Sequence, residues 1–274
     1  MLILDASSLG RSWGDFETVL AEKLKEDTNL DFRIFNLSTA GHTSMDSYFK
    51  YEFLKDKKFD LVLFYSGINE SRANNCPTDV FKNDFSHYVW YKQLHALRRH
   101  KEICFTALPY TLEYCLIYLD DYFGFSKNIS LYGINKEWMD YGSVLKAQTT
   151  YKENLSGIID LSKKKNEKLL LMTLAYYLPA NYSLEKFKSK SLDYSNHGSP
   201  VEIWGKPENV VAGIEMHNRI VKQLAVTNAG NVLFIDMETK LPKGKKYFND
   251  ICHFTHTGSE KFADEVMGVI KELQ

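Results

Sequence analysis

Short apolar runs separated by amphipathic stretches of helical period constrain this chain more than any other feature. The runs cover residues 2–4, 32–37, 61–65, 169–174 and 232–235, each of the length and apolarity that a buried strand needs. Between them, residues 15–25 place Phe16, Val19, Leu20 and Leu24 on one helical face, and residues 44–54 do the same with Met45, Tyr48, Phe49 and Phe53. Residues 150–164 and 209–226 repeat the pattern, the latter through Val210, Ile214, Val221 and Ala225. A last helix is expected to open at a capping box, Thr257-Gly258-Ser259-Glu260, and to bury Phe262, Val266, Val269, Ile270 and Leu273. Strands alternating with helices predict an α/β fold, a parallel sheet covered on both faces. In such a sheet, ligands bind beyond the carboxyl ends of the strands, so the residues that follow each strand carry the functional question.

Two segments interrupt the rhythm. Residues 79–148 are rich in aromatics, among them Tyr110, Tyr114, Tyr118, Tyr122, Phe123 and Phe125, and residues 176–208 are polar and loop-like. Both are placed to roof a cleft over the strand ends, although helical packing against the sheet is the plainer expectation for the first. The 274 residues carry a net charge of −1, with 44% hydrophobic and 25% charged side chains. That balance provides no field for holding nucleic acid or an anionic membrane. No apolar stretch reaches the ~18 residues of a membrane span. Cys76, Cys104, Cys115 and Cys252 show no C-x-x-C spacing, and reduced thiols in a cytosolic setting are the default expectation. Residues 1–4 already read as a strand, which leaves an upstream anchor or signal as an open expectation.

Four loops hold residues suited to acyl chemistry. After the first strand comes Asp5-Ala6-Ser7-Ser8-Leu9-Gly10, which sets a hydroxyl at a strand-to-helix turn. Ser7 is the favoured nucleophile and Ser8 the alternative, yet a Ser-Ser turn taken alone is most often a helix cap. After the second strand, Gly41 offers a backbone N–H where the main chain must approach something closely, or simply a turn glycine. After the third, Asn69 offers a neutral side-chain donor that cannot act as a base, or an Asx turn. Near the C-terminus, Asp250 stands three residues before His253, the spacing with which a carboxylate can hold an imidazole in one tautomer. Asp236, at the end of the fifth strand, is the less well placed acid. No His, Cys or Asp cluster has metal-ligand spacing and no glycine-rich loop has phosphate-binding form, so neither metal nor cofactor is expected.

Taken in order, Ser7, Gly41, Asn69 and Asp250/His253 resemble the four sequence blocks of the SGNH (GDSL-type) hydrolases. The resemblance extends over residues 151–179 and 218–236 and into the final helix at Gly258 and Ala263, but not over residues 80–148 and 180–208. It implies a three-layer α/β/α fold built on a flavodoxin-like sheet of about five parallel strands, with residues 1–274 forming a single domain and the two unaligned segments as insertions. It further implies a triad of Ser7, His253 and Asp250, and an oxyanion hole made by the N–H groups of Ser7 and Gly41 with the Asn69 side chain. The substrate would be a small-molecule or carbohydrate ester, within a family that includes lipid esterases, carbohydrate O-acetyl esterases, thioesterases and O-acyltransferases. The chain departs from the family in its first block. Asp5 and Ala6 stand where Gly-Asp or Gly-Gly is usual, and Gly10 follows Ser7 by three residues instead of four. That departure motivates a second expectation, an inactive relative that binds a glycan or a protein partner. A flavodoxin-like domain that binds a small ligand without covalent chemistry is a third.

Overall fold

The computed structural model describes every residue except 12, 29–30, 102–105, 130–135 and 274; Cys104 therefore lies outside the described residues. Strands β1 (Leu2–Asp5), β2 (Phe35–Asn36), β3 (Leu61–Tyr65), β4 (Lys168–Met172) and β5 (Val232–Ile235) form one sheet in the order β2-β1-β3-β4-β5. Every pairing is parallel, with Leu2 opposite both Phe35 and Val62, Leu61 opposite Lys168, and Leu169 opposite Val232. The helices are α1 (Phe16–Asp27), α2 (Ser44–Phe53), α3 (Asn69–Ala73), α4 (Val89–His100), α5 (Leu108–Phe123), α6 (Gln148–Lys165), α7 (Leu184–Lys188), α8 (Pro207–Thr227), α9 (Met237–Lys240) and α10 (His256–Glu272).

Side chains alternate across each strand, so a continuous apolar run fills two cores at once. Ile3, Leu63, Tyr65, Leu170 and Met172 pack against Phe16, Leu20, Phe262 and Val266 of α1 and α10. On the other face Leu4, Val62, Phe64 and Leu171 meet Tyr51, Tyr151, Leu155 and Ile220 of α2, α6 and α8. These two layers of helices around one sheet are the three-layer arrangement expected from the sequence. Strand order reverses at β1, which has β2 on one side and β3 on the other. The loops leaving β1, β2 and β3 consequently open at a topological switch point, where a crevice forms.

Four expectations need correction. The second apolar run is a strand over only Phe35 and Asn36; as an edge strand it is held from one side alone, with the Phe35 and Leu37 N–H groups donating to the Met1 and Ile3 carbonyls at 3.0 Å. In α2 the buried set is Ser44, Met45, Asp46, Ser47 and Tyr51, whereas Phe53 is 87% exposed. The face turned inward is polar because it has partners there: Asn154 Nδ2 donates to Ser44 Oγ at 3.2 Å, and Tyr51 donates to Glu167. The final helix starts two residues earlier than the capping-box reading, with Thr255 as N-cap accepting from the Gly258 N–H at 3.0 Å. Gly258 then sits inside the first turn, where an added Cβ would fall 2.2 Å from the Tyr247 carbonyl oxygen; at the other end Leu273 lies beyond the helix and is exposed. Lastly, residues 79–148 do not simply cover the sheet. Phe85, Tyr88, Tyr91 and Ile129 build a small separate core with Met45 and Ala73, and α5 lies on α4 with none of its residues buried.

Candidate active site

The β1–α1 turn is closed from beneath by an unusual device. Asp5, at the end of β1, is fully buried and accepts the Leu9 N–H at 2.6 Å, while the Gly10 N–H donates to the Ser7 carbonyl at 3.0 Å. Burial pushes the Asp5 carboxyl up to about 7. Asp5 therefore ties together the loop that carries Ser7. The Ser7 Oγ lies 2.8 Å from His253 Nε2.

His253 comes from the loop between α9 and α10, and its other ring nitrogen faces Asp250, with Nδ1 2.9 and 2.8 Å from Oδ1 and Oδ2. The carboxylate is fixed by main chain. Its Oδ1 accepts the N–H groups of Cys252 and His253 at 3.1 and 3.0 Å, and its Oδ2 accepts that of Ser199 at 2.9 Å. The Ser199 contact depends on its neighbour, because a Cβ on Gly198 would fall 2.9 Å from the same oxygen. Burial acts to lower the His253 pKa, but the Cys252 sulfur and the Asp250 carboxylate outweigh it, and the imidazole is held well above the ordinary histidine value. Burial raises the Cys252 thiol.

Asn69 opens α3 directly after β3 and is buried. Its Nδ2 donates to the His42 carbonyl at 2.7 Å and its Oδ1 accepts the Trp204 indole N–H at 2.7 Å. The first bond pins the Gly41–His42 turn beside Asn69, with Gly41 at φ 79°. The turn is further anchored by Thr43, which caps α2 through a reciprocal box with Asp46. The structure thus joins Ser7, His253 and Asp250 in one hydrogen-bonded chain and links the Gly41 turn to Asn69. Ser8 is buried next door, but the hydroxyl that meets the imidazole belongs to Ser7. Asp236 is elsewhere, accepting from Thr173 and pairing with Lys222. Among the described residues, Asp250, Cys252 and His253 are the one grouping with ligand atoms close enough for a metal ion; its His and Asp are already committed to each other.

Three residues at this site were not singled out from sequence as site residues. Trp13 stacks on the His253 ring, centroids 4.3 Å apart and planes at 19°. Trp204 stands 6.3 Å from the same ring and binds Asn69, and Ser199 holds Asp250. Trp204 and Ser199 lie in the segment expected to roof the strand ends. No motif marks them, since an isolated Trp or Ser in a polar loop is ordinarily packing or turn.

No family model matches the sequence, and no curated protein sequence matches it. In three dimensions the chain is similar to a GDSL-like lipase from Bacteroides thetaiotaomicron, with a TM-score of 0.53, 12% identity, and 100% of this chain and 88% of that one covered. It is also similar to TesA, with a TM-score of 0.50, 15% identity and 100% of both chains covered. At such identities the likeness is one of fold: the chain has the three-layer α/β/α architecture of GDSL-type esterases and lipases, as its four motif blocks anticipated.

Proposed function

We propose that this chain is a serine-dependent acyl-ester hydrolase using Ser7, His253 and Asp250, with a small acyl group on a polar carrier as its substrate. The observation that carries this reading is the unbroken series of contacts from Ser7 Oγ to His253 Nε2 and from Nδ1 to Asp250. The Ser7 hydroxyl attacks the acyl carbon while His253 Nε2 accepts its proton, and Asp250 stabilises the resulting imidazolium. The tetrahedral oxyanion is received by the N–H groups of Ser7 and Gly41 and by an N–H of the Asn69 amide. His253 returns the proton to the departing alkoxide, and a water activated by the same imidazole releases the acyl group. The burial of Ser7, only 4% exposed, and the Trp13 ring stacked on the imidazole are in keeping with a small acyl group. The fold shared with a GDSL-like lipase is in keeping with ester chemistry.

The test is intact mass after incubation with a fluorophosphonate, followed by peptide mapping. One adduct on Ser7, absent from Ser7→Ala and strongly reduced in His253→Ala, is the expected result. Well-folded protein that takes no adduct would refute the activated serine and leave the binding-only reading in its place. Within the same scheme, Asn69→Ala is expected to lower turnover of a small aryl acetate by ~10²–10³-fold, the usual cost of losing one oxyanion donor. A loss below tenfold in steady-state kinetics would remove Asn69 from that role.

A further inference from the structure

Helix α5 has two faces of opposite character. Toward α4 it turns Glu113 and Asp120, which meet Arg99, His100 and Lys92. Away from α4 it presents Leu108, Leu112, Cys115, Leu119 and Tyr122, all exposed. Their spacing of four, three, four and three residues is that of a coiled-coil seam, and it lies opposite the face that packs on α4.

The extent of this surface distinguishes it from ordinary scattered exposure. Tyr122, Phe123 and Phe125 are 71, 60 and 80% exposed. At about 150–250 Å² per aromatic side chain, those three alone leave roughly 300–500 Å² uncovered. That already equals the largest apolar patch of a typical monomer, about 300–600 Å². The exposed Leu108, Leu112, Leu116 and Leu119 extend it toward the roughly 800 Å² per partner of a stable interface.

We propose that α5 is a self-association helix, pairing with α5 of a second copy of this chain across the Leu108-to-Tyr122 seam. Every charged side chain of α5 is acidic, namely Glu113, Asp120 and Asp121. A helix that settles on an anionic bilayer would carry lysine or arginine on its polar face. A second copy fits better. Asp120 and Asp121 make the C-terminal end of α5 acidic, and the basic end of α4, with Arg98, Arg99 and His100, lies at the opposite end of this helix pair, where Arg99 and His100 meet Glu113. An antiparallel, two-fold pair brings each acidic end toward the partner's basic end. Cys115 is the midpoint of the seam, so a two-fold pairing centred there brings Cys115 to its own symmetry mate.

The experiment is light scattering of the full chain across the micromolar range, with copper–phenanthroline oxidation and peptide mapping in parallel. A mass twice the 31.7 kDa of one chain, falling to a single chain in Leu112→Glu/Leu119→Glu, is expected. Oxidation should give a Cys115–Cys115 disulfide, and Cys115→Ser should abolish that link while leaving the scattering mass unchanged. Both glutamates replace exposed residues, so an unaltered melting temperature would show that any loss of mass is not unfolding. A monomeric wild type, a dimer indifferent to the two glutamates, or a dimer that yields no Cys115 link would each overturn the proposal. A monomer that floats with vesicles of phosphatidylcholine and phosphatidylglycerol would also overturn it, and would assign the face to lipid.

Discussion

Ser7→Ala is expected to lower turnover of an activated acetate ester by about 10⁴–10⁶-fold, the range seen when a triad nucleophile is removed. The substitution deletes one hydroxyl at the crest of the β1–α1 turn and leaves the turn itself in place. The turn is held by the Asp5–Leu9 and Gly10–Ser7 bonds, neither of which uses the Ser7 side chain. A stability change within about 1.5 kcal/mol is expected from the single side-chain hydrogen bond lost to His253. Ser8→Ala is the discriminating control. Its hydroxyl is buried at the adjacent position, and its loss should leave turnover within about tenfold if Ser7 alone attacks. Comparable collapse in both variants would point to distortion of the turn, and collapse in Ser8→Ala alone would move the nucleophile by one residue. The readout is kcat, with circular dichroism to establish that each variant is folded.

Where the sequence was legible, a local pattern coincided with a tertiary constraint. Residues 61–65 became a strand with the expected limits because a run buried between two helical layers has to be apolar throughout; residues 232–235 kept theirs at the sheet edge, where Phe234 is exposed. The buried set of α1 (Phe16, Val19, Leu20 and Leu24) likewise follows from one face meeting one sheet. The site residues could be located because the loops leaving β1, β2 and β3 are brought to one end of the sheet by parallel strand order. Legibility failed where the partner of a residue was remote. The inward face of α2 looks wrong from sequence alone, since the burial of Asp46, beyond its capping box with Thr43, is explained by the remote Trp90 and Tyr91, both of which donate to it. The first-block departure at Asp5 reads as decay in one dimension. In three dimensions its carboxyl closes the loop that presents Ser7. Trp13, Trp204 and Ser199 reach His253, Asn69 and Asp250 across folds of chain that no short spacing encodes.

Asp250→Asn is expected to cost about 10⁴-fold in turnover and, unlike a merely structural lesion, to move the pH profile. Three main-chain N–H groups, from Ser199, Cys252 and His253, converge on the Asp250 oxygens. An amide has only one oxygen with which to meet them and His253 Nδ1. Its NH₂ group must face a donor on one side. The imidazole is relieved by carrying its proton on Nε2, which then presents a donor to Ser7 in place of the lone pair a base requires. The same substitution removes the carboxylate charge that, together with the Cys252 sulfur, raises His253. In the wild-type protein the neutral imidazole, and with it kcat/KM, is lost as pH falls through that raised pKa, so the acid limb lies above the pH of an ordinary histidine. In the Asp250→Asn variant the His253 pKa drops, and the residual activity should retain its plateau to lower pH. Opposite movements of the two observables, rate down and acid limb to lower pH, are what a positioned carboxylate predicts. A variant that keeps its rate within tenfold, or loses it with the limb unmoved on well-folded protein, would separate Asp250 from the chemistry.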